Sequence, residues 1–316
     1  MSKIARLMSQ IAEKEGHNNT NIPGVRIYKA SEYRPRHPLC YGKGIIIVGQ
    51  GNKRVFLGGK VYEYNPDNYL VLSVPLPAEC ETEATEYKPL LSLMVDIDMG
   101  MLNRIVEQMG NDINPLLWGQ KDKYPGLFVA HTNQGIKNTV ERLLHSLLNP
   151  VESKVIGPGI IHELIFRIMN GENASPLYAL TMINTNLSRI DKALKHIHEK
   201  YRHPINIDKL SSLVNMSPSA FFRAFKEVTS SSPIQYLKKV RLNIAIGLLM
   251  GKKVRVNEAA AEVGYESATQ FSREFKRYFG NSPVSFIPDG KNTRHIFYSC
   301  TETNTPLVGG AGFTLF

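Results

Sequence analysis

Three cysteines in 316 residues, Cys40, Cys80 and Cys300, are too few and too scattered for a disulfide framework, and no two of them form the Cys-x-x-Cys pair of a zinc site. Such usage points to a reducing compartment. Long apolar runs are also missing. The longest, GIIIVG at 44–49 and LLSLMV at 90–95, fall far short of the roughly 20 residues that cross a bilayer. The opening stretch MSKIARLMSQIAEKEG mixes charged and apolar residues at helical spacing and lacks the continuous apolar segment of a secretory signal. No membrane span and a cytoplasmic address are expected.

The constellations that carry catalysis or hold cofactors are missing too. His37 stands alone in the β-rich part of the sequence, and His196 and His198, two apart on a helix, point to different faces, so no metal site is expected. The glycine-rich stretch GQGNKRVFLGG lacks the Gly-Lys-Ser/Thr ending and following helix of a phosphate loop. Spacing assigns no Ser/His/Asp or Cys/His set. Neither an enzyme nor a cofactor is expected.

What the chain does have is positive charge, +10 overall, concentrated in one place. Residues 185–290 hold 17 Lys and Arg against 9 Asp and Glu, whereas the other two thirds hold 21 against 19. A basic excess confined to one region suits a polyanion, with nucleic acid ahead of anionic lipid. Residues 22–98 read differently, as short strands rich in Val, Ile, Tyr and Phe (GIIIVGQ, KRVFLGG, KVYEY, NYLVLSV, LLSLMVDI) broken by Gly and Asn-Pro turns, the pattern of a sandwich or barrel. After Asp98 helices are expected throughout, apart from a loop at 114–126 that contains Trp118, the one tryptophan. In GIKNTVERLLHSLL, Ile136, Val140, Leu143, Leu144 and Leu147 form one apolar stripe suited to packing inside the molecule or against a second subunit. A further helix opens at Pro158 and stops at Asn170-Gly171, followed by GENASP as a linker.

Within the basic region, residues 205–236 repeat as 255–286. Ser217, Phe221, Arg223, Phe225, Lys226, Ser232 and Pro233 recur 50 residues later as Ser267, Phe271, Arg273, Phe275, Lys276, Ser282 and Pro283. Each copy reads as helix, tight turn, helix. In the first, Asn215-Met216 make the turn, Ser217 caps the second helix and Pro218 takes its first position. In the second, Gly264-Tyr265-Glu266 make the turn and Ser267-x-x-Gln270 has the form of a capping box. Phe221, Ala224, Phe225 and Val228 share one face of the first such helix, and Phe271, Phe275 and Tyr278 one face of the second, so these belong to the core. The opposite stripes hold Ser219, Phe222, Arg223 and Lys226, then Thr269, Ser272, Arg273 and Lys276. A major groove admits one helix, and Arg pairs with guanine O6 and N7. Arg223 and Arg273 are therefore the leading base readers, with Ser219, Phe222, Thr269 and Ser272 beside them, while Lys226 and Lys276 are placed for phosphate. Residues 233–250, about 27 Å as a helix, would bridge the two units over successive grooves.

At these residues the chain resembles the AraC/XylS family of bacterial transcription regulators. The likeness rests on Gly264-Tyr265, Phe271-Ser272-Arg273, Phe275-Lys276, Phe279-Gly280 and Ser282-Pro283. The first unit departs from it at Asn215, where the family usually has Gly, and at Ser230-Ser231. The run YGKGIIIVGQGNKRVFLGGKVYEY resembles the regulatory domain of one branch. The resemblance implies an α+β multidomain fold: a cupin-like β-barrel with following helices, then an all-α domain of two tandem helix-turn-helix units. On that basis 1–132 is expected to be the regulatory domain, 133–184 a helical linker able to dimerise, 185–288 the DNA-binding domain and 289–316 a tail of unassigned role. The implied partners are promoter DNA, a small-molecule effector, RNA polymerase and a second copy of the chain, and the implied role is commonly activation. The alternative is a DNA-binding protein whose N-terminal domain only oligomerises or binds a protein. Cys40, ahead of the first apolar strand, is a candidate thiol sensor, against the commoner role of a small core hydrophobe.

Overall fold

The computed structural model describes residues 1–110, 124–251 and 254–287. Trp118, Cys300 and the tail beyond 288 lie outside the described residues. Helix α1 (Lys3–Ile11) leads into nine strands: β1 (Gly16–Asn19), β2 (Val25–Ala30), β3 (Arg34–Tyr41), β4 (Gly44–Gln50), β5 (Asn52–Leu57), β6 (Lys60–Tyr64), β7 (Asn68–Leu72), β8 (Leu76–Glu83) and β9 (Leu90–Asp96). After α2 (Met99–Met109) comes a tenth strand, β10 (Leu127–His131). The strands form a six-stranded sheet, β1-β2-β9-β4-β7-β10, and a four-stranded sheet, β3-β8-β5-β6, the two-layered barrel expected for a cupin-like domain.

Of the strands that escaped the sequence pattern, two did so for evident physical reasons. β3 carries Pro35 and Pro38, which a central strand does not tolerate, and it lies at the edge of its sheet. β10 follows a helix, where helices alone were expected, and returns to pair with β7 from Leu127↔Leu72 to His131↔Asn68. β4 is apolar almost end to end because both its faces are covered. Its inner face meets the barrel and its outer face meets α1, where Gly49 lies so close to Met8 that a Cβ would fall 2.7 Å from the sulfur.

The helices that follow are α3 (Gln134–Leu147), α4 (Pro150–Val155), α5 (Gly157–Met169), α6 (Ser175–Thr181), α7 (Asn186–Glu199), α8 (Ile207–Leu213), α9 (Pro218–Thr229), α10 (Pro233–Gly251), α11 (Val256–Glu262) and α12 (Ala268–Phe279), with a closing 3-10 turn at Pro283–Phe286. The α3 stripe Ile136, Val140, Leu143, Leu144, Leu147 is buried inside the molecule, against α5 and α1. GENASP is not a free linker: Ala174 and Pro176 are buried, and Ser175-Pro176 open α6.

The apolar core is in two pieces. One runs without a break from the barrel through α3 to α7 and on to Phe221, Phe225, Tyr236 and Val240 of the first helix-turn-helix. The other holds Leu242, Ile246, Leu249, Ala259, Val263, Phe271, Phe275, Phe279 and Phe286 of the second. The division falls within α10.

Candidate nucleic-acid interface

The short helices that open the two units stop in the same way. Met216 N–H donates to the Ser211 carbonyl at 2.9 Å after Asn215 at φ 54°, and Tyr265 N–H donates to the Ala260 carbonyl at 2.9 Å after Gly264 at φ 83°. A left-handed residue with a six-to-one bond of this kind satisfies the last carbonyls of a helix. These positions are 49 apart, whereas the capping serines are 50 apart. The second turn is thus one residue longer, and the repeat of 50 seen in the sequence holds only from the cap onward. Ser217 Oγ accepts from Ala220 N–H at 3.3 Å and Ser267 Oγ from Gln270 N–H at 3.2 Å, which satisfies one otherwise unpaired amide at each helix start.

Behind these caps α9 and α12 divide as expected into an apolar and a polar face. Phe221, Ala224, Phe225 and Val228 are buried, and so are Phe271 and Phe275. Tyr278 is an exception. It is half-buried, with its hydroxyl at 3.2 Å from Asn243 Nδ2, and Phe279 fills the core position instead, its ring 4.6 Å from that of Phe275. Ser219, Phe222, Arg223, Lys226, Thr269, Arg273 and Lys276 are exposed and Ser272 is half-buried.

Charge separates the polar stripes from their surroundings. Among the described residues, no ion pair or side-chain hydrogen bond engages Arg223, Lys226, Arg273 or Lys276. Arg202, Lys238 and Arg241 are committed elsewhere. Arg202 pairs with Glu262, and Lys238 pairs with Glu274 at 2.9 Å. Partial burial raises the Glu274 carboxyl, but hydrogen bonds from Lys238, Gln270 and Tyr265 outweigh it and hold the group below its ordinary value, ionised and facing α10. Arg241 of α10 donates to the carbonyls of Tyr201 (2.7 Å), Gly264 (3.0 Å) and His203 (3.1 Å), so it clamps the second unit's turn to the end of α7. Sequence reasoning missed Arg241. Nothing in its place on a helix with Lys238 and Lys239 sets it apart, and only the fold brings three carbonyls to it.

The β-rich domain has chemistry of its own. The strand registers put Arg34, Lys53, Thr82 and Tyr64 in one row, and His37, Cys80 and Val55 in the next, all facing inward. Lys53 Nζ lies 5.1 and 5.5 Å from the ring centres of Tyr28 and Tyr41, and Arg34 lies 5.6 Å from that of Tyr28. Burial pushes the Cys40 thiol up to about 12, toward the protonated form, which is less reactive than the thiolate. The thiol with a basic neighbour is Cys80, whose Sγ lies 3.3 Å from His37 Nε2.

This domain also touches the first helix-turn-helix directly. Gly126 N–H donates to the Val228 carbonyl in the last turn of α9 at 3.1 Å, and a Cβ at Gly126 would fall 2.6 Å from that oxygen. Tyr236 of α10 donates to the Pro75 carbonyl at 2.8 Å and lies 2.8 Å from His198 Nε2, and Lys43 pairs with Asp191 at 2.8 Å. The Tyr236 proton is used on Pro75, so His198 carries its hydrogen on Nε2 and donates it to the tyrosine oxygen. No described helix is long and apolar enough to cross a membrane.

A model described as the AraC-type transcriptional regulator N-terminus matches residues 21–175, and one described as a helix-turn-helix domain matches residues 210–287. The HTH-type transcriptional regulator AlkR of Acinetobacter baylyi is 35% identical over 97 residues, 31% of this chain and 32% of that protein. The HTH-type transcriptional regulator GbdR of Pseudomonas aeruginosa is 27% identical over 153 residues, 48% of this chain and 41% of that protein. The matched stretches thus span about a third to two fifths of these relatives' own length. The structure of ToxT from Vibrio cholerae shares the fold at 11% identity, with a TM-score of 0.57 over 83% of this chain and 97% of that one.

Proposed function

Because the chain belongs to the AraC family of transcription regulators, we propose that it is a sequence-specific, ligand-responsive regulator that inserts α9 and α12 into successive major grooves of promoter DNA. The observation that carries this reading is the pair of exposed polar stripes on two helices with matching caps, whose four cations are left uncommitted while Arg202, Lys238 and Arg241 are tied down. Arg223 and Arg273 read bases, with Ser219, Phe222, Thr269 and Ser272 at the same edges. Lys226 and Lys276, one turn further on, hold phosphate. Residues 185–288 form the DNA-binding part and 1–132 the sensor, with 133–184 joining them in the cytoplasm. RNA polymerase and a second copy of the chain are its partners at the promoter.

The effector site belongs inside the barrel, because a barrel interior built only for folding needs neither Arg34 nor Lys53, and burying such groups costs free energy. Selection of binding sites from random DNA tests the reading. Enrichment of two blocks about one helical turn apart is the expected result, and retention of all sequences alike would overturn it. A compound from a small-molecule panel that raises the thermal midpoint of the full chain would reveal effector binding.

A further inference from the structure

Phe222 is the one feature of the polar stripes that charge and hydrogen bonding do not account for. It is 46% exposed, and in residues 185–287 it is the only exposed aromatic side chain among those described. It lies in the second turn of α9, one residue before Arg223 and on the same side as Ser219 and Lys226, and among the described residues no other ring packs against it. The other aromatic residues of α9, Phe221 and Phe225, are both fully buried. Its counterpart in α12 is Ser272, so the two units differ here by an apolar ring against a hydroxyl.

We propose that Phe222 reads the 5-methyl group of one thymine in the block bound by α9. This rests on the reading that α9 enters the major groove. In that groove guanine, adenine and cytosine present only donors and acceptors, and an aromatic ring pressed on those would strip water from polar edges without replacing it. Thymine alone presents an apolar group there. Arg223 and Lys226, the cations next to Phe222 on the same stripe, bring a polar base edge and a phosphate beside it, which places the ring against base edges rather than against an apolar protein surface. The first unit is thereby selective for thymine at one position, while Ser272 leaves the matching position of the second block without a methyl requirement.

The test replaces each thymine of the selected site, one at a time, by deoxyuridine, which removes the methyl group and keeps every hydrogen-bonding atom. With the full-length wild-type chain, one substitution in the α9 block should weaken binding about four-fold, the worth of one buried methyl group. Phe222→Ala should bind the thymine and uracil sites equally, and Phe222→Leu should restore part of the preference. The thermal midpoint of each variant should match wild type, since the side chain is exposed. Specific binding that ignores every methyl, or a methyl preference that survives in Phe222→Ala, overturns the inference and leaves the regulator reading intact. Absence of any specific site overturns both.

Discussion

Arg223 and Arg273 are exposed and uncommitted, whereas Arg241, eighteen residues after the first and half-buried, is held by three carbonyls. The same side chain therefore has opposite fates according to what the fold puts next to it. Arg223→Ala or Arg273→Ala should each weaken specific binding by about 1–3 kcal/mol and relax preference at one base pair, read by titration against single-base variants of the site. Lys226→Ala or Lys276→Ala should weaken all sequences alike and lower the salt slope by about one. Gly264 is fixed by two constraints, a φ of 83° and a carbonyl of Arg202 in the space a Cβ would take. Gly264→Ala should cost more than about 1 kcal/mol, measured by urea unfolding. His198 has a calculable pH signature. Burial lowers it to about 4, so the unfolded chain takes up a proton near its ordinary value while the folded chain does not. Stability is full above pH 6.5 and falls as the pH drops toward 4, by on the order of 2 kcal/mol between 6.5 and 5. Urea midpoints of wild type and His198→Gln should diverge over that window, and parallel curves would contradict the assignment.

Helices were the most legible elements, because the apolar spacing of α3, α9 and α12 fixes which face is buried, and Ser217 and Ser267 mark where the last two begin. Removing either cap, Ser217→Ala or Ser267→Ala, should lower unfolding free energy by about 1 kcal/mol. Strands were legible where both faces are apolar, as in β4, and illegible where proline at a sheet edge breaks the pattern, as in β3. The extra residue in the second turn escaped notice because the identities that define the repeat begin at the cap, downstream of it. Tyr278 was misplaced because helical spacing marks a direction and not a depth: at that point α12 meets α10 through Asn243, and the core is reached by Phe279. The barrel's inward rows that hold Arg34, Lys53, His37 and Cys80 could not be read from sequence at all, since they depend on the register of three strands.

At the scale of the molecule, α10 belongs to both cores, and the first helix-turn-helix is packed into the same apolar interior as the barrel while the second has its own. The barrel can therefore act on α9 and α10 through Gly126, Pro75 and the buried Tyr236 hydroxyl, and on α12 both through β3, which it touches, and through α10. Tyr236→Phe leaves the Pro75 carbonyl and His198 without their shared partner and should cost about 1–3 kcal/mol. Hydrogen exchange in that variant should rise along α10 and β8 and stay unchanged in α12. One continuous helix of 19 residues, about 28 Å long, also fixes the spacing of the two DNA-facing stripes. Inserting five base pairs between the two blocks of the selected site turns one block about half a revolution away from the other. Affinity of the full-length chain should then fall at least about 100-fold, which is the loss of one block's base contacts. Undiminished affinity would contradict the claim that α9 and α12 read the duplex together as one rigid pair.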